Sequence, residues 1–307
     1  MDFLYLLEDL RTPALDGIVS ALTHLGGEMV FLIAALTVFW CADKRQGYYL
    51  LSVGFMGTLV NQFLKITCRI PRPWVRDPNF TIVESARAEA TGYSFPSGHS
   101  TSSVGTFGVI ATEGKRLWLR LVAVALCFLI PLTRLYLGVH TPADVLVGSA
   151  ISLVFIILLR PVIYRNDGKH MPKLLALMLL LSAGFVAYME LFPFPADVDA
   201  DNLGSALKNS YTLLGALAGM IAVWYADRKR NFSTEAPWPA QVLKTVLGLA
   251  LALAVKEGLK FPLDALFGGH MIARAIRYMV LVLFAGILWP MTFPGFRSWG
   301  ERVRHKR

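Results

Sequence analysis

Three short clusters hold side chains whose types and spacing suit phosphate chemistry. Lys65 is followed, after six residues, by Arg72 and Pro73; Pro96-Ser97-Gly98-His99 forms the second cluster; Thr133-Arg134, His140 and Asp144, separated by five and three residues, form the third. Guanidinium groups are planar forks that match phosphate oxygens, and a lysine adds a compact positive charge. Pro71 and Pro73 stiffen the backbone on either side of Arg72. Ser97 and Gly98 are placed to open a helix, whose free N–H groups and dipole favour an anion. A glycine there lets a bound oxygen approach the backbone. Lys65, Arg72, Ser97, Gly98 and Arg134 therefore read as a phosphate cradle.

Two histidines could turn that cradle into a catalyst. His140 and Asp144 are four residues apart, on one face of a helix. If Asp144 accepts a hydrogen bond from Nδ1, Nε2 becomes a directed nucleophile. His99 would then protonate the leaving oxygen as general acid. The three cations disfavour protonation of His140 and Asp144 favours it; a nucleophile needs the neutral ring.

The elements that must position these groups belong in a bilayer. Of 307 residues, 55% are hydrophobic and 17% charged. A soluble domain carries about 25% charged residues, so the composition excludes disorder and an ordinary soluble domain alike. Three cysteines, Cys41, Cys68 and Cys127, are too few for a disulfide scaffold. Apolar runs lie at about 28–42, 47–66, 100–112, 117–135, 143–164, 171–192, 209–226, 240–259 and 275–294. Most approach the ~20 residues that cross the hydrocarbon as a helix. The first run could also begin nearer Leu15 as a tilted helix, and the third is short. Phe3, Leu6, Leu7, Leu10 and Ala14 recur at helical spacing, which predicts either an amphipathic interfacial segment over 1–27 or the polar start of the first span.

Loop charge gives an orientation. Lys44 and Arg45, then Lys115, Arg116 and Arg120, then Arg165, Lys169 and Lys173, then Arg228, Lys229 and Arg230 fall in alternate loops, and Arg297, Arg302, Arg304, Lys306 and Arg307 in the tail. By the positive-inside rule these loops and the C-terminus are cytoplasmic. The net charge of +9 is then mostly topological, and a nucleic-acid partner is not expected. All three clusters fall on the extracytoplasmic side. The 67–99 loop carries Arg69, Arg72, Arg76 and Arg87 against that bias, which suggests an anion site.

On these motifs, over roughly residues 28–164, the sequence resembles the type 2 phosphatidic acid phosphatase superfamily of integral membrane lipid phosphatases. The resemblance implies phosphate binding by Lys65, Arg72, Ser97, Gly98 and Arg134. It further implies His99 as general acid, His140 as nucleophile and Asp144 as its partner. It implies a phosphohistidine intermediate hydrolysed by water, with no metal and no cofactor. Thr133 departs from the usual serine while keeping a hydroxyl. Arg69, Pro71, Arg72 and Pro73, Tyr93-Ser94, and Tyr136-Leu137-Gly138 are similar to sphingosine-phosphate phosphatases. Bacterial undecaprenyl-diphosphate and phosphatidylglycerophosphate phosphatases share the same core.

The expected fold is an all-α polytopic transmembrane helical bundle: a six-helix phosphatase core over 28–170 and about three further helices over 171–307. Expected substrates are a phospholipid, sphingolipid or polyprenyl phosphate. Two other readings stand beside hydrolysis. One is phosphotransfer from a lipid to another acceptor; the other is a non-catalytic membrane anion or lipid transporter, for which His99, His140 and Asp144 would be unnecessary. In the C-terminal part, Lys256, Glu257, Lys260 and Glu190 read as snorkelling groups near span ends. Gly215 to Gly219 offers a small-residue face for close helix packing within the chain.

Overall fold

In the computed structural model, residues 1–305 are described; Lys306 and Arg307, two of the tail charges, lie outside them. The helices are α1 (Asp2–Glu8), α2 (Pro13–Thr23), α3 (Glu28–Cys41), α4 (Lys44–Cys68), α5 (Pro73–Arg76), α6 (Gly98–Glu113), α7 (Leu117–Tyr136), α8 (Pro142–Tyr164), α9 (Met171–Leu191), α10 (Ala200–Arg230), α11 (Trp238–Gly258), α12 (Lys260–Leu266), α13 (Ile272–Leu283) and α14 (Phe293–His305). Among the described residues there is no strand. The fold is therefore all-α, as an uninterrupted apolar solvent demands of backbone polar groups.

Each apolar run falls on a helix, but fewer helices than runs have the length and composition to cross a bilayer. Six do among the described residues: Lys44–Arg76, Leu117–Tyr136, Pro142–Tyr164, Met171–Leu191, Ala200–Arg230 and Ile272–Arg304. Pro13–Gly26 and Glu28–Cys41 meet the same test only when taken together across a 47° bend, as a broken span or a re-entrant loop. The run at 100–112 lies in α6, which has only 16 residues.

The chain divides into two compact units. The first comprises Met1–Ala34, Tyr49–Pro161 and Pro193–Ala206, and it contains every residue of the three clusters. Its packing depends on small side chains, because helices in lipid gain little from apolar burial and associate where their backbones approach. A Cβ on Gly148 of α8 would sit 2.5 Å from the Ser97 carbonyl oxygen. One on Gly57 of α4 would sit 3.0 Å from Thr101 Cγ2. Hydroxyls close the same seam: Thr101 Oγ1 donates at 3.0 Å to the Ser97 and Gly148 carbonyls, and Ser152 Oγ donates to the Thr101 carbonyl at 2.5 Å. The start of α6 is thus clamped between α4 and α8.

The N-terminal helices belong to this unit. Leu4 is buried with Phe80, Ile82, Leu135 and Val145, and Tyr5 packs edge-on against Phe80 at 5.4 Å while Phe3, Leu6 and Leu10 stay exposed. Arg11 donates to the Tyr136 carbonyl at 2.9 Å and to that of Thr81 at 2.8 Å. The 77–83 loop is held by these contacts.

The second unit comprises Ala35–Tyr48, Val162–Phe192 and Leu207–Arg307. Its small-residue face does pack within the chain: a Cβ on Gly215 would come 1.9 Å from the Ala275 carbonyl oxygen, so α10 and α13 touch backbone to backbone. Lys244, fully buried, donates to the carbonyls of Trp40 at 2.9 Å and Thr234 at 3.3 Å. The Trp40 indole donates to the Ala285 carbonyl at 2.8 Å. Glu190 accepts from the Tyr211 hydroxyl at 3.0 Å, and Lys256 pairs with Glu257 at 3.3 Å.

Candidate active site

All eight residues singled out in the sequence lie at one end of the first unit. Lys65 is in the last turn of α4, Arg134 in the last turn of α7, Gly98 and His99 in the first turn of α6, and Asp144 in the first turn of α8. Ser97 is the N-cap of α6, and its Oγ accepts from the Ser100 N–H at 3.3 Å. Helix starts and helix ends therefore alternate around one site.

The third cluster is organised around Asp144. Its Oδ2 accepts from Ser94 Oγ at 2.6 Å and from the Thr141 N–H at 2.7 Å, and lies 3.4 Å from His140 Nδ1. Its carbonyl accepts from the Ser97 N–H at 2.9 Å, tying α8 to the start of α6. His140 and Asp144 are both buried. On the other side of the imidazole, Arg72 Nη1 stands 2.9 Å from Nε2. The same nitrogen lies 3.5 Å from Nδ1; an arginine N–H only donates, so the shorter contact favours a lone pair on Nε2 and the ring proton on Nδ1, toward Asp144. His140 lies in the 137–141 turn, outside the membrane-spanning helices. Burial first, then the charges of Arg72 and Lys65, hold its pKa well below the ordinary imidazole value. Both causes favour the neutral form of the ring.

The two arginines play different parts. Arg72 is largely committed to the protein: Nε donates to the Gly92 carbonyl at 3.1 Å, Nη2 to Thr91 at 2.8 Å and Nη1 to Val139 at 2.9 Å. Arg134 is fully buried, with Nη1 donating to Thr23 Oγ1 at 2.8 Å. Its Nε and Nη2 are buried and have no hydrogen-bond partner. Buried donors left unpaired are costly, so these two point to a ligand acceptor. Lys65 Nζ donates to the Tyr93 carbonyl at 2.5 Å. Above Gly98 the space is open: a Cβ there would meet only Asn61 Oδ1, at 3.9 Å. No steric demand of the protein requires glycine at this position, whereas a bound oxygen would.

The spacing of the three clusters does not reveal four further residues of the site. Glu89, in the 77–97 loop, takes a hydrogen bond from His99 Nε2 at 3.1 Å on one oxygen and meets His24 Nδ1 at 2.7 Å on the other. The His99 hydrogen bond above all holds the Glu89 carboxyl down at about 2. Ser94 is the closest side-chain partner of Asp144. Thr23 is the partner of Arg134, and Thr133 Oγ1 also donates to it at 3.0 Å. No local motif marks Glu89, Thr23 or His24. Ser94 lies three residues before Ser97 and was visible only as part of the Tyr93-Ser94 pair.

Residues 45–168 match the PAP2 superfamily model, and residues 211–301 match that of the PAP2 superfamily phosphatase transmembrane extension; together these take in more than half of the chain. The chain belongs to the PAP2 superfamily. It is a multi-pass integral membrane phosphatase of that family, and the second match assigns most of the last helices to the family's own extension. Phosphatidylglycerophosphatase B of Bacillus subtilis (strain 168) is 27% identical over 167 residues, which are 49% of this chain and 76% of that protein. Sphingosine-1-phosphate phosphatase 1 of Rattus norvegicus is 25% identical over 279 residues, 89% of this chain and 59% of that protein. Undecaprenyl-diphosphatase of Sulfolobus acidocaldarius is 27% identical over 141 residues, 45% of this chain and 66% of that protein. The chain thus spans less than two thirds of the rat phosphatase's length.

Proposed function

We propose that this PAP2 protein hydrolyses a lipid phosphomonoester or diphosphate through a phosphohistidine, at a site open to the extracytoplasmic side of the membrane. The observation that carries the reading is the buried His140 ring, whose Nε2 lies 2.9 Å from Arg72 Nη1 in a site where Arg134 keeps two buried N–H groups unpaired. Phosphate oxygens take up the Arg134 donors and the helix N-terminus at Gly98 and His99, and draw Arg72 Nη1 off the imidazole. Nε2 attacks phosphorus, forming the P–N bond as the P–O bond to the lipid breaks. His99 gives its proton to the departing oxygen. Asp144 stabilises the imidazolium that develops on His140; water, giving a proton to the now neutral His99, then attacks phosphorus, and the P–N bond breaks to release inorganic phosphate and regenerate the neutral His140 ring.

The relatives bearing phosphatidylglycerophosphate, sphingosine-1-phosphate and undecaprenyl diphosphate in their names share a phosphate on a long apolar tail, which fits a head-group site at the end of membrane helices. The extracytoplasmic orientation rests on the positive-inside rule applied to Lys44 and Arg45, in the first turn of α4, at the opposite end of that helix from Lys65.

The test is single-turnover labelling. Protein in detergent is mixed with a ³²P-labelled lipid phosphate and quenched in alkali, where phosphohistidine survives and acyl phosphates do not. Wild-type protein retains label transiently and releases inorganic phosphate; His140→Ala does neither. Label on His140→Ala, or release of phosphate without any labelled intermediate from the wild type, overturns the mechanism.

A further inference from the structure

The 77–97 loop returns to the helices with one carboxylate between two imidazoles. Glu89 Oε1 is 2.7 Å from His24 Nδ1, and Glu89 Oε2 is 3.1 Å from His99 Nε2. His99 is largely enclosed, its side chain 15% exposed, while that of His24 is 61% exposed and open to solvent. His24 comes from the N-terminal segment, before the residues that match the PAP2 superfamily model.

This reach is anchored, not incidental. His24 opens a short 3-10 turn, His24–Gly26, which follows α2 directly. A Cβ on Gly26 would lie 2.5 Å from Ile130 Cγ2 and 3.5 Å from His99 Cδ2, so the turn packs against α7 and the His99 ring with no room to spare. The residue before it, Thr23, accepts from Arg134 and Thr133. Ser20, one turn earlier, is 2.8 Å from Ser85 Oγ, pinning α2 to the loop that carries Glu89. His24 is fixed relative to the site on both sides.

We propose that His24 is a positioning residue: by sharing the Glu89 carboxylate with His99 it limits how strongly that carboxylate holds His99, and so sets the pH range over which His99 remains a proton donor. The inference rests on the reading of His99 as general acid. The titratable and charged groups facing His99 are Glu89, Arg134, Arg72 and His140. Those acting on Glu89 are His99 and His24, with Arg134 near enough to feel its charge. Glu89 is the one member of the set that favours a protonated His99, and His24 is its competing partner. A carboxylate that makes two hydrogen bonds divides its charge between them, so deleting one donor strengthens the other.

The test is the pH profile of kcat/KM for phosphate release from a lipid phosphate in detergent micelles, in which the alkaline limb reports the acid of the free enzyme. Removing the carboxylate charge with Glu89→Gln moves that limb to lower pH. Removing the competitor with His24→Ala moves it the opposite way, to higher pH, by about half a unit for a pair this open to solvent. The double variant follows Glu89→Gln, because without the carboxylate there is nothing to share. His24→Asn, which keeps a donor near Nδ1, restores most of the wild-type profile and guards against a variant that merely folds poorly. A His24→Ala limb that does not move, or one that shifts equally in the Glu89→Gln background, overturns the proposal. Failure of the underlying reading looks different: His99→Ala would then release phosphate at the wild-type rate, whatever the His24 variants do.

Discussion

Replacing Thr23 by valine removes the only side-chain hydrogen bond that Arg134 makes among the described residues, at a position outside every motif in the sequence. The change is nearly isosteric, so it leaves no cavity, and Thr133 keeps its second partner, the Ile130 carbonyl at 2.6 Å. Arg134 loses the 2.8 Å acceptor on Nη1, and its Nε and Nη2 already lack partners. A hydrogen bond to a charged group is worth about 1.5–3 kcal/mol. At ~1.4 kcal/mol per decade this is about one to two orders of magnitude in the occupancy of the correct guanidinium pose, and the same loss is expected in kcat/KM. Thr23→Ser, which keeps the oxygen, stays near wild type. The assay is initial-rate phosphate release from a defined lipid phosphate in nanodiscs, with a melting curve on the same preparation. In an Arg134→Gln background, Thr23→Val adds no further loss, since the group it positions is gone. A Thr23→Val enzyme within about threefold of wild type, or an equal loss in the Arg134→Gln background, would show that the contact does not orient Arg134.

Two glycines separate folding from function. Gly98→Ala places a methyl in open space, 3.9 Å from Asn61 Oδ1, and leaves thermal stability unchanged while phosphate release falls by at least tenfold; Gly148→Ala drives a Cβ to 2.5 Å from the Ser97 carbonyl and lowers both together, which paired melting and activity measurements resolve. Glu89 carries a carboxyl held at about 2, below its ordinary value near 4.5. Its folded pKa is the depressed one, so its stabilisation is fully present above pH ~4.5 and is lost as pH falls toward 2. Melting temperatures of wild type and Glu89→Gln therefore converge across that window, and parallel curves would refute the linkage. Chelators leave turnover intact on the proposed mechanism, and loss of activity in EDTA that added metal restores counts against it.

Both the helical class and the cluster residues were legible because each depends on local signals. Apolar runs near 20 residues mark the helices, and Lys65, Arg72, Ser97, Gly98, Arg134, His140 and Asp144 stand at fixed spacings within single elements or turns. The geometry adds what spacing cannot carry. The sequence offers both arginines as equivalent forks, yet three of the Arg72 donor contacts go to the carbonyls of Thr91, Gly92 and Val139, and only Arg134 retains unpaired nitrogens. Glu89, Thr23 and His24 reach the site by tertiary packing across 10, 111 and 65 positions to their partners, a distance at which no periodic pattern survives. Span counting was less legible for a related reason. Composition does not disclose that α2 and α3 bend by 47°, nor that α6 ends after 16 residues at a Gly114 backbone packed against Ile110.

If the proposed site binds phosphate, its charge bears on which phosphate it takes. Lys65, Arg72 and Arg134 are buried cations, and Asp144 is the one buried carboxylate among them, leaving two formal positive charges without a buried counterion. Uncompensated buried charge is expensive, and carbonyl dipoles such as those on Arg72 offset it only in part. A phosphomonoester carries about −1.5 to −2 at neutral pH, which matches the deficit; a phosphodiester brings only −1 and leaves a buried cation unbalanced. On the proposed mechanism, the substrate's own charge completes the electrostatic balance of the site. On this reasoning the monoester of a given tail is turned over in strong preference to its methyl diester. Comparable kcat/KM for the two would mean that the buried cations serve the fold and not the phosphate.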